Sequence, residues 1–466
     1  MYDAPAAPLS EAELRQLDAE YCSWGDTVHY VDQPKFFESC DGAYMFDAEG
    51  QAFLDLQMWY STVNFGYRNP RLIAAMHRQL DRLPQAASQH LHREKVELAA
   101  LIARDIEAKF GSKGRVHFNV GGAQAIEDSL KLVRNASNGK SRMFAFQGGY
   151  HGRTLGASSI TSSYRYRRRY GHFGDRAHFV EFPYAFRGPK GMSKEEYGEK
   201  CVADFERLFE SEFHGVLDAK ANEAEFAAFY VEPVQGTGGY VIPPKNFFSG
   251  LKKVLDRYGV LFVADEVQMG IWRTGKLWSI EHFGVQPDVL VFGKSVTNGL
   301  NPLSGVWAKE ALINPQVFPP GSTHSTFNAN PLGTSIALET LRMAGEGDYE
   351  RTVPQKGAYF LAGLRELQAR WPQIGEVDGL GLALRAEICQ ASDSYTPDKP
   401  LLDRMIAEGL NGGLDVGAAR PMGLILNQGG YHKNVITFAP SLDITTDEID
   451  LALKLLDALL RRCVEA

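Results

Sequence analysis

Apolar and polar positions repeat along this chain with two periods, and the changes of period divide it. Residues 10–21 have helical spacing. From Phe36 to Leu56 the apolar runs shorten to strand length around the turn Asp47-Ala48-Glu49-Gly50. From about residue 70 the pattern alternates. Helical segments at 70–83 and 93–109 precede the short strand-like segment Val116–Asn119, then a helix from Ala123 to Arg134. The strands Met143–Phe146 and Phe179–Phe182, a helix at 195–213, the strand Ala227–Glu232 and a helix at 246–258 follow. Two fully apolar runs, Val260–Ala264 and Val289–Phe292, close the series. Runs of this length without a polar face are buried strands. Strands alternating with helices predict an α/β domain with a mostly parallel, helix-covered sheet.

Beyond residue 330 the chain is rich in helical pattern (331–345, 349–371, 401–409, 446–463), with short strands near 380–388 and 435–439. The expected division is therefore an N-terminal segment (1–69) that joins a small C-terminal α/β domain (331–466), and a large domain over 70–330.

At 466 residues with 44% hydrophobic and 23% charged residues, the composition is that of a globular enzyme. A net charge of -8 argues against nucleic acid as a partner. The basic tract Tyr164–Tyr170 then reads as a solvated helix face. The five cysteines form no CxxC and no close pair, which gives neither a metal site nor a disulfide framework and suits a reducing cytoplasm. No apolar stretch reaches membrane-spanning length and no signal-peptide pattern opens the chain, so no membrane association is expected.

Candidate chemistry sits where strands end. The strand before Asp265-Glu266-Val267-Gln268 and the strand before Gly293-Lys294 each deliver a charge at a sheet edge, 29 residues apart. Ligands of open α/β sheets bind at such edges. A carboxylate that holds a protonated ring nitrogen and a lysine that forms an imine are what pyridoxal phosphate (PLP) requires, although two ordinary strand-end charges would look the same. Gly121-Gly122-Ala123-Gln124 leads from a strand into a helix whose first amides could hold phosphate, or is a plain tight turn. Gly148-Gly149-Tyr150-His151-Gly152-Arg153 could expose an aromatic face for a planar cofactor, or is a loop whose tyrosine packs in the core. Glu232 stands before a glycine-rich loop, and His324–Pro331 clusters hydroxyls and amides before a helix. Gly-Lys-Ser occurs at 139–141 and 293–295, but the upstream glycine of a nucleotide loop is absent, and HExxH, GxSxG and GxGxxG do not occur.

In this order the fragments resemble the class III (subgroup II) PLP-dependent aminotransferases of fold type I, over roughly residues 35–460. The likeness is densest from Ala264 to Lys276, from Ile280 to Asp288 and at Gly293-Lys294. The resemblance implies a large domain with a mostly parallel seven-stranded sheet and a smaller α/β domain drawn from both termini. It implies that Lys294 would hold PLP as an imine and shuttle protons, while Asp265 would pair with the ring nitrogen. Gln268 would bond the ring 3-oxygen. Val267 would pack on one face of the ring, and Tyr150 on the other with His151 beside it. The amides of Gly122, Ala123 and Gln124 would hold the phosphate, Glu232 would support the ring region, and Thr326 would come from a neighbouring subunit of a homodimer, or of a tetramer of two dimers. The activity implied is ping-pong amino transfer from an amine or amino acid to a keto acid. The chain is also similar to amino-acid racemases on this scaffold. A decarboxylating member and a non-catalytic binding protein are the further alternatives.

Two departures stand out. The phosphate loop has Ala123 where the family usually has serine, at a cost of about one hydrogen bond (~1 kcal/mol). The arginine that grips a substrate carboxylate is replaced by Thr437, and its glutamate partner by Thr237. Joint loss of an ion pair implies a rebuilt pocket, because loss of one partner alone would strand a charge. Arg153 and Arg420 are the candidate replacements, and Trp59 and Tyr60 the candidate pocket walls.

Overall fold

The computed structural model describes residues 9–23, 25, 34–166, 170 and 176–465. Three short strands, β1 (Ser39–Asp41), β2 (Tyr44–Phe46) and β3 (Ala52–Asp55), form the expected N-terminal meander. Its turn is shaped by Asp47, whose carboxylate accepts the Gln51 amide at 2.8 Å. The next strands are β4 (Gly114–Asn119), β5 (Arg142–Phe146) and β6 (His178–Val180). A small pair follows, β7 (Leu217–Asp218) with β8 (Glu223–Ala224), then β9 (Phe226–Val231), β10 (Leu261–Asp265), β11 (Val289–Phe292) and β12 (Ser304–Lys309).

Seven of these make one sheet in the order β4-β12-β11-β10-β9-β5-β6. Only β12 runs against the rest, pairing antiparallel with both β11 and β4. The order of the parallel strands carries β10 and β11 to the centre, where both faces are covered. Accordingly β9 and β11 are buried at every position. Rings fill the layer on one side: Phe144 stacks on Phe226 with centroids 3.8 Å apart, and Phe146 packs against Phe182 and Phe229.

The antiparallel strand β12 has no counterpart in the sequence reading. Its run Ser-Gly-Val-Trp-Ala-Lys has a glycine inside it, which lowers strand propensity. The glycine is needed because a Cβ at Gly305 would lie 2.5 Å from the Phe292 ring and 2.8 Å from the His117 carbonyl oxygen. Two other readings need correction. The helix expected over 195–213 spans Lys194–Glu206 and then breaks into 3-10 turns, the last capped by Ser211. The tract expected as a helix face from Tyr164 to Tyr170 contains only the 3-10 turn Tyr164–Tyr166. Residues 167–169 lie outside the described residues.

The later strands β13 (Ile374–Leu380), β14 (Ala383–Gln390), β15 (Asp393–Pro397), β17 (Asn427–Gly429) and β18 (Val435–Phe438) form a second sheet, backed by the helices Tyr349–Arg370 and Lys399–Asn411. Strand β16 (Gly423–Ile425) leaves that sheet to pair in parallel with β3, so N-terminal and C-terminal chain share backbone hydrogen bonds. Among the described residues no helix is long and apolar enough to cross a membrane, and no group of three or more potential ligands is placed to hold a metal.

Candidate active site at the ends of the parallel strands

The C-terminal ends of β9, β10 and β11 place Glu232, Asp265 and Lys294 side by side above the sheet, each at or just past the last residue of its strand. Asp265 is buried. One carboxylate oxygen meets His151 Nδ1 at 2.8 Å, and the other accepts the Val267 amide at 3.1 Å. His151 is equally buried. Burial disfavours its cation, but the bond and charge of Asp265 outweigh this and raise its pKa. Glu232 accepts the amides of Tyr150 at 2.8 Å and Gly236 at 2.9 Å, which fixes the aromatic loop relative to the glycine-rich one. Burial first, then the charge of Asp265, pushes the Glu232 carboxyl up to about 7.

Lys294 opens a 3-10 turn in the left-handed region, with φ 46°, directly after Gly293. Its side chain is half-buried and lines a cavity of about 380 Å³. Among the described residues its ammonium has no carboxylate within 4 Å. Burial lowers its pKa to about 8, against the opposing pull of Asp265 and Glu232. A lysine in this state is still mostly an ammonium at pH 7, but it gives up its proton far more readily than an ordinary lysine.

The helix Gly122–Ala136 starts without a side-chain cap, so the amides of Gly122, Ala123 and Gln124 are free for an anion. Val267 joins that helix start to the strand ends. A Cβ on Gly122 would be 3.0 Å from Val267 Cγ1, and one on Gly293 would be 3.6 Å from the same atom. Gly152 faces the other side of the helix start, where a Cβ would come within 2.6 Å of Ala123 Cβ. Gln268 donates to Tyr240 Oη at 3.1 Å, and its amide oxygen closes over Gly236. Tyr150 lines the cavity, packed edge-on to Tyr166 at 5.0 Å, and Arg153 lies over the Tyr166 ring at 4.6 Å.

Of the expected substrate residues, Trp59, Tyr60 and Arg153 line the cavity. Arg420 does not; it is exposed in the loop before β16. Thr326 is also exposed in the single chain and outside the cavity. Thr237 lines the cavity, whereas Thr437 is buried behind it and accepts from Asn427 Nδ2 at 2.6 Å.

Sequence reasoning missed how Trp59 and Tyr60 are held. Met58, Trp59, Tyr60 and Ser61 are all left-handed, with φ from 42° to 62°. Four such residues without glycine cost roughly 1–2 kcal/mol each. Two buried groups hold the turn. Asp55 accepts the amides of Gln57 (2.7 Å) and Met58 (2.9 Å). Arg273, fully buried and without a carboxylate beside it among the described residues, donates to Ser61 Oγ (2.9 Å), Asn64 Oδ1 (2.6 Å) and the carbonyls of Leu382 and Pro440. The only signal in the sequence was the position of Arg273 inside the densest stretch of family likeness. Two further cavity residues are Lys433, which the sequence does not single out, and Arg165, which it offers only as part of a solvated basic tract.

The fold is matched in solved structures. A thermostable (S)-enantioselective omega-transaminase from Thermomicrobium roseum superposes with a TM-score of 0.86 over 98% of this chain and all of that one, at 27% identity. An amine transaminase from an uncultivated Pseudomonas species, solved in its PLP-bound form, gives 0.83 over 94% of this chain and 97% of its own, also at 27% identity. Fold and strand-end site together define a PLP-dependent transferase of fold type I. The family model "Aminotransferase class-III" matches residues 28–460, and the chain belongs to that family. Similar proteins include an alanine/serine racemase of Pyrococcus horikoshii (31% identity, 89% of this chain, 83% of the relative) and the 5-aminovalerate aminotransferase DavT of Pseudomonas aeruginosa (30%, 91% and 92%). The protein is thus a PLP-dependent transaminase acting on amines or amino acids and keto acids.

The donor groups suit that cofactor. A phosphate finds uncapped helix amides, an aldehyde finds a weakly basic lysine, and a ring nitrogen finds a buried carboxylate. Glycines at 122, 152 and 236 keep side chains out of the space between them.

Proposed function

We propose that Lys294 is the catalytic amine of this transaminase, that Asp265 is its electrostatic partner, and that the two half-reactions alternate at one site. The observation that carries this is the half-buried, weakly basic Lys294 at the end of β11, one strand away from the buried Asp265–His151 pair. When bound, PLP supplies an electrophilic carbon for the substrate amine and a ring that accepts electron density from the substrate carbon. Lys294 takes the proton from that carbon and returns it at the neighbouring position, and a pKa near 8 suits both directions at neutral pH. Asp265 holds a proton on the ring nitrogen, and His151 fixes the orientation of Asp265. The amides of Gly122, Ala123 and Gln124 hold the phosphate, Val267 and Tyr150 cover the ring faces, Gln268 bonds the ring oxygen, and Glu232 positions Tyr150. Trp59 and Tyr60 wall the substrate space, with Arg153 at its mouth.

Thr326 acts from a neighbouring subunit in this reading, which makes the protein a homodimer with shared sites; its exposure beside Phe327, itself 67% exposed, supports this. Division into a large domain (70–330) and a small one (331–466) joined by 1–69, and a cytoplasmic location in keeping with cysteines that form no CxxC and no close pair in the sequence, belong to the same proposal.

Mixing the holoenzyme with an amine donor, then with pyruvate or 2-oxoglutarate, tests it. The expected result is loss of the cofactor's imine absorbance, a keto product, and recovery of the absorbance on adding the acceptor. Lys294→Ala must abolish turnover. The racemase-like relative motivates the second reading, and exchange of the Cα hydrogen with loss of optical activity and no keto product would establish it instead.

A further inference from the structure

The active-site cavity carries more positive charge than the chemistry described above uses. Arg153, Arg165, Lys294 and Lys433 line it, and among the described residues no aspartate or glutamate does. Among the described residues, neither Arg165 nor Lys433 has a carboxylate within 4 Å. Lys433 sits in the turn between β17 and β18 at φ 57°. That turn is firmly held. The Lys433 amide donates to Gly430 O at 3.1 Å, Gly430 donates to Thr237 O at 3.0 Å, and Tyr431 Oη donates to Gln147 O at 2.9 Å. Burial, then the charge of Arg165, lowers the Lys433 pKa. Lys433 is partly desolvated and feels the charge of the exposed Arg165, and an anion bound between the two would relieve that repulsion.

The same strand shows why an anion site would be needed here. At Thr437, where the family's carboxylate-gripping arginine is missing, the space holds a neutral pair, Asn427 Nδ2 donating to Thr437 Oγ1. Thr237, at the position of the missing glutamate, bonds through its carbonyl to the turn that carries Lys433. The lost cation at the strand and the new cation at its turn lie four residues apart on one hairpin.

We propose that Lys433 and Arg165 form the carboxylate-binding subsite of this enzyme, so that its substrates carry a carboxylate remote from the reacting carbon, as ω-amino acids and dicarboxylic keto acids do. The proposal rests on the transaminase reading of the cavity. It gives the lost Thr437 ion pair a functional replacement and assigns the basic tract at 164–166 to the substrate.

Glutarate, a dicarboxylate without an amine, is the binding probe, titrated calorimetrically into the holoenzyme at pH 7. Lys433→Met and Arg165→Met should each weaken it by about 10- to 100-fold, the loss of one charge-assisted hydrogen bond. Lys433→Arg should restore binding to within about threefold, because the charge returns. In single turnovers, Lys433→Met should slow amino transfer from 5-aminovalerate by the same factor and from pentylamine, which lacks the carboxylate, by less than about twofold. Equal glutarate affinity in wild type and both Met variants, or equal losses for the two donors, would overturn the proposal. Glutarate binding that depends on Lys433 in a protein that transfers no amine would uphold the subsite and overturn the transaminase reading instead.

Discussion

The lysine at the end of β11 makes a stability prediction that is independent of catalysis. In protein stripped of PLP, Lys294→Met should be more stable than wild type at neutral pH. The ammonium's pKa of about 8 against an ordinary 10.5 amounts to roughly 3 kcal/mol against the charged form. The side chain is only partly buried and the cavity admits water, so about 1–2 kcal/mol is the expected net penalty. Methionine keeps the length of the apolar stem and is no worse suited than lysine to φ 46°. The folded pKa lies below the unfolded one, so the penalty is complete below about pH 8. It is relieved as pH climbs from 8 to 10.5, where the unfolded chain binds more protons than the folded chain. Urea unfolding of both apoproteins at pH 7 and pH 10.5 reads this directly. The variant should have the higher midpoint at pH 7 and lose most of its advantage at pH 10.5. A midpoint no higher than wild type at pH 7, or an advantage unchanged at pH 10.5, would refute the argument that Lys294 is held as a strained cation.

Two substitutions probe the walls of the site. Gly236→Ala would put a Cβ 2.0 Å from Gln268 Oε1 and 3.1 Å from Glu232 Oε2, so one of them must move. We expect overpacking of about 1–3 kcal/mol and faster loss of PLP on dialysis, followed by absorbance; unchanged retention would show that Gln268 does not contact the cofactor. Arg273→Met removes the donor to Ser61, Asn64 and two carbonyls, leaving buried acceptors unpaired. It should destabilise the protein by about 3–5 kcal/mol and raise KM for bulky amines more than it lowers kcat, as the Trp59–Tyr60 turn relaxes. Wild-type KM in a folded Arg273→Met protein would mean that the turn holds itself.

Much of this protein is legible from local pattern. The strand–helix alternation fixed the parallel sheet because burial on both faces leaves an unbroken apolar run, as in β9 and β11. The helices after residue 330 fell within a few residues of their observed ends, because their apolar stripes face one layer. Asp265 and Lys294 were visible because a charge that ends an apolar run violates the pattern around it.

What the pattern could not give depends on partners distant in sequence. Strand β12 is set by the space beside Phe292 and His117, not by its own propensity. The left-handed turn at Met58–Ser61 exists because Arg273, more than two hundred residues away, holds it there. The cluster of Arg165 with Lys433 forms only when a loop of the large sheet meets a hairpin of the small one. Apolar periodicity is encoded residue by residue, since hydration is a local property of each side chain. Strain, charge pairing and cavity shape belong to pairs of segments, and only the folded chain brings those pairs into contact.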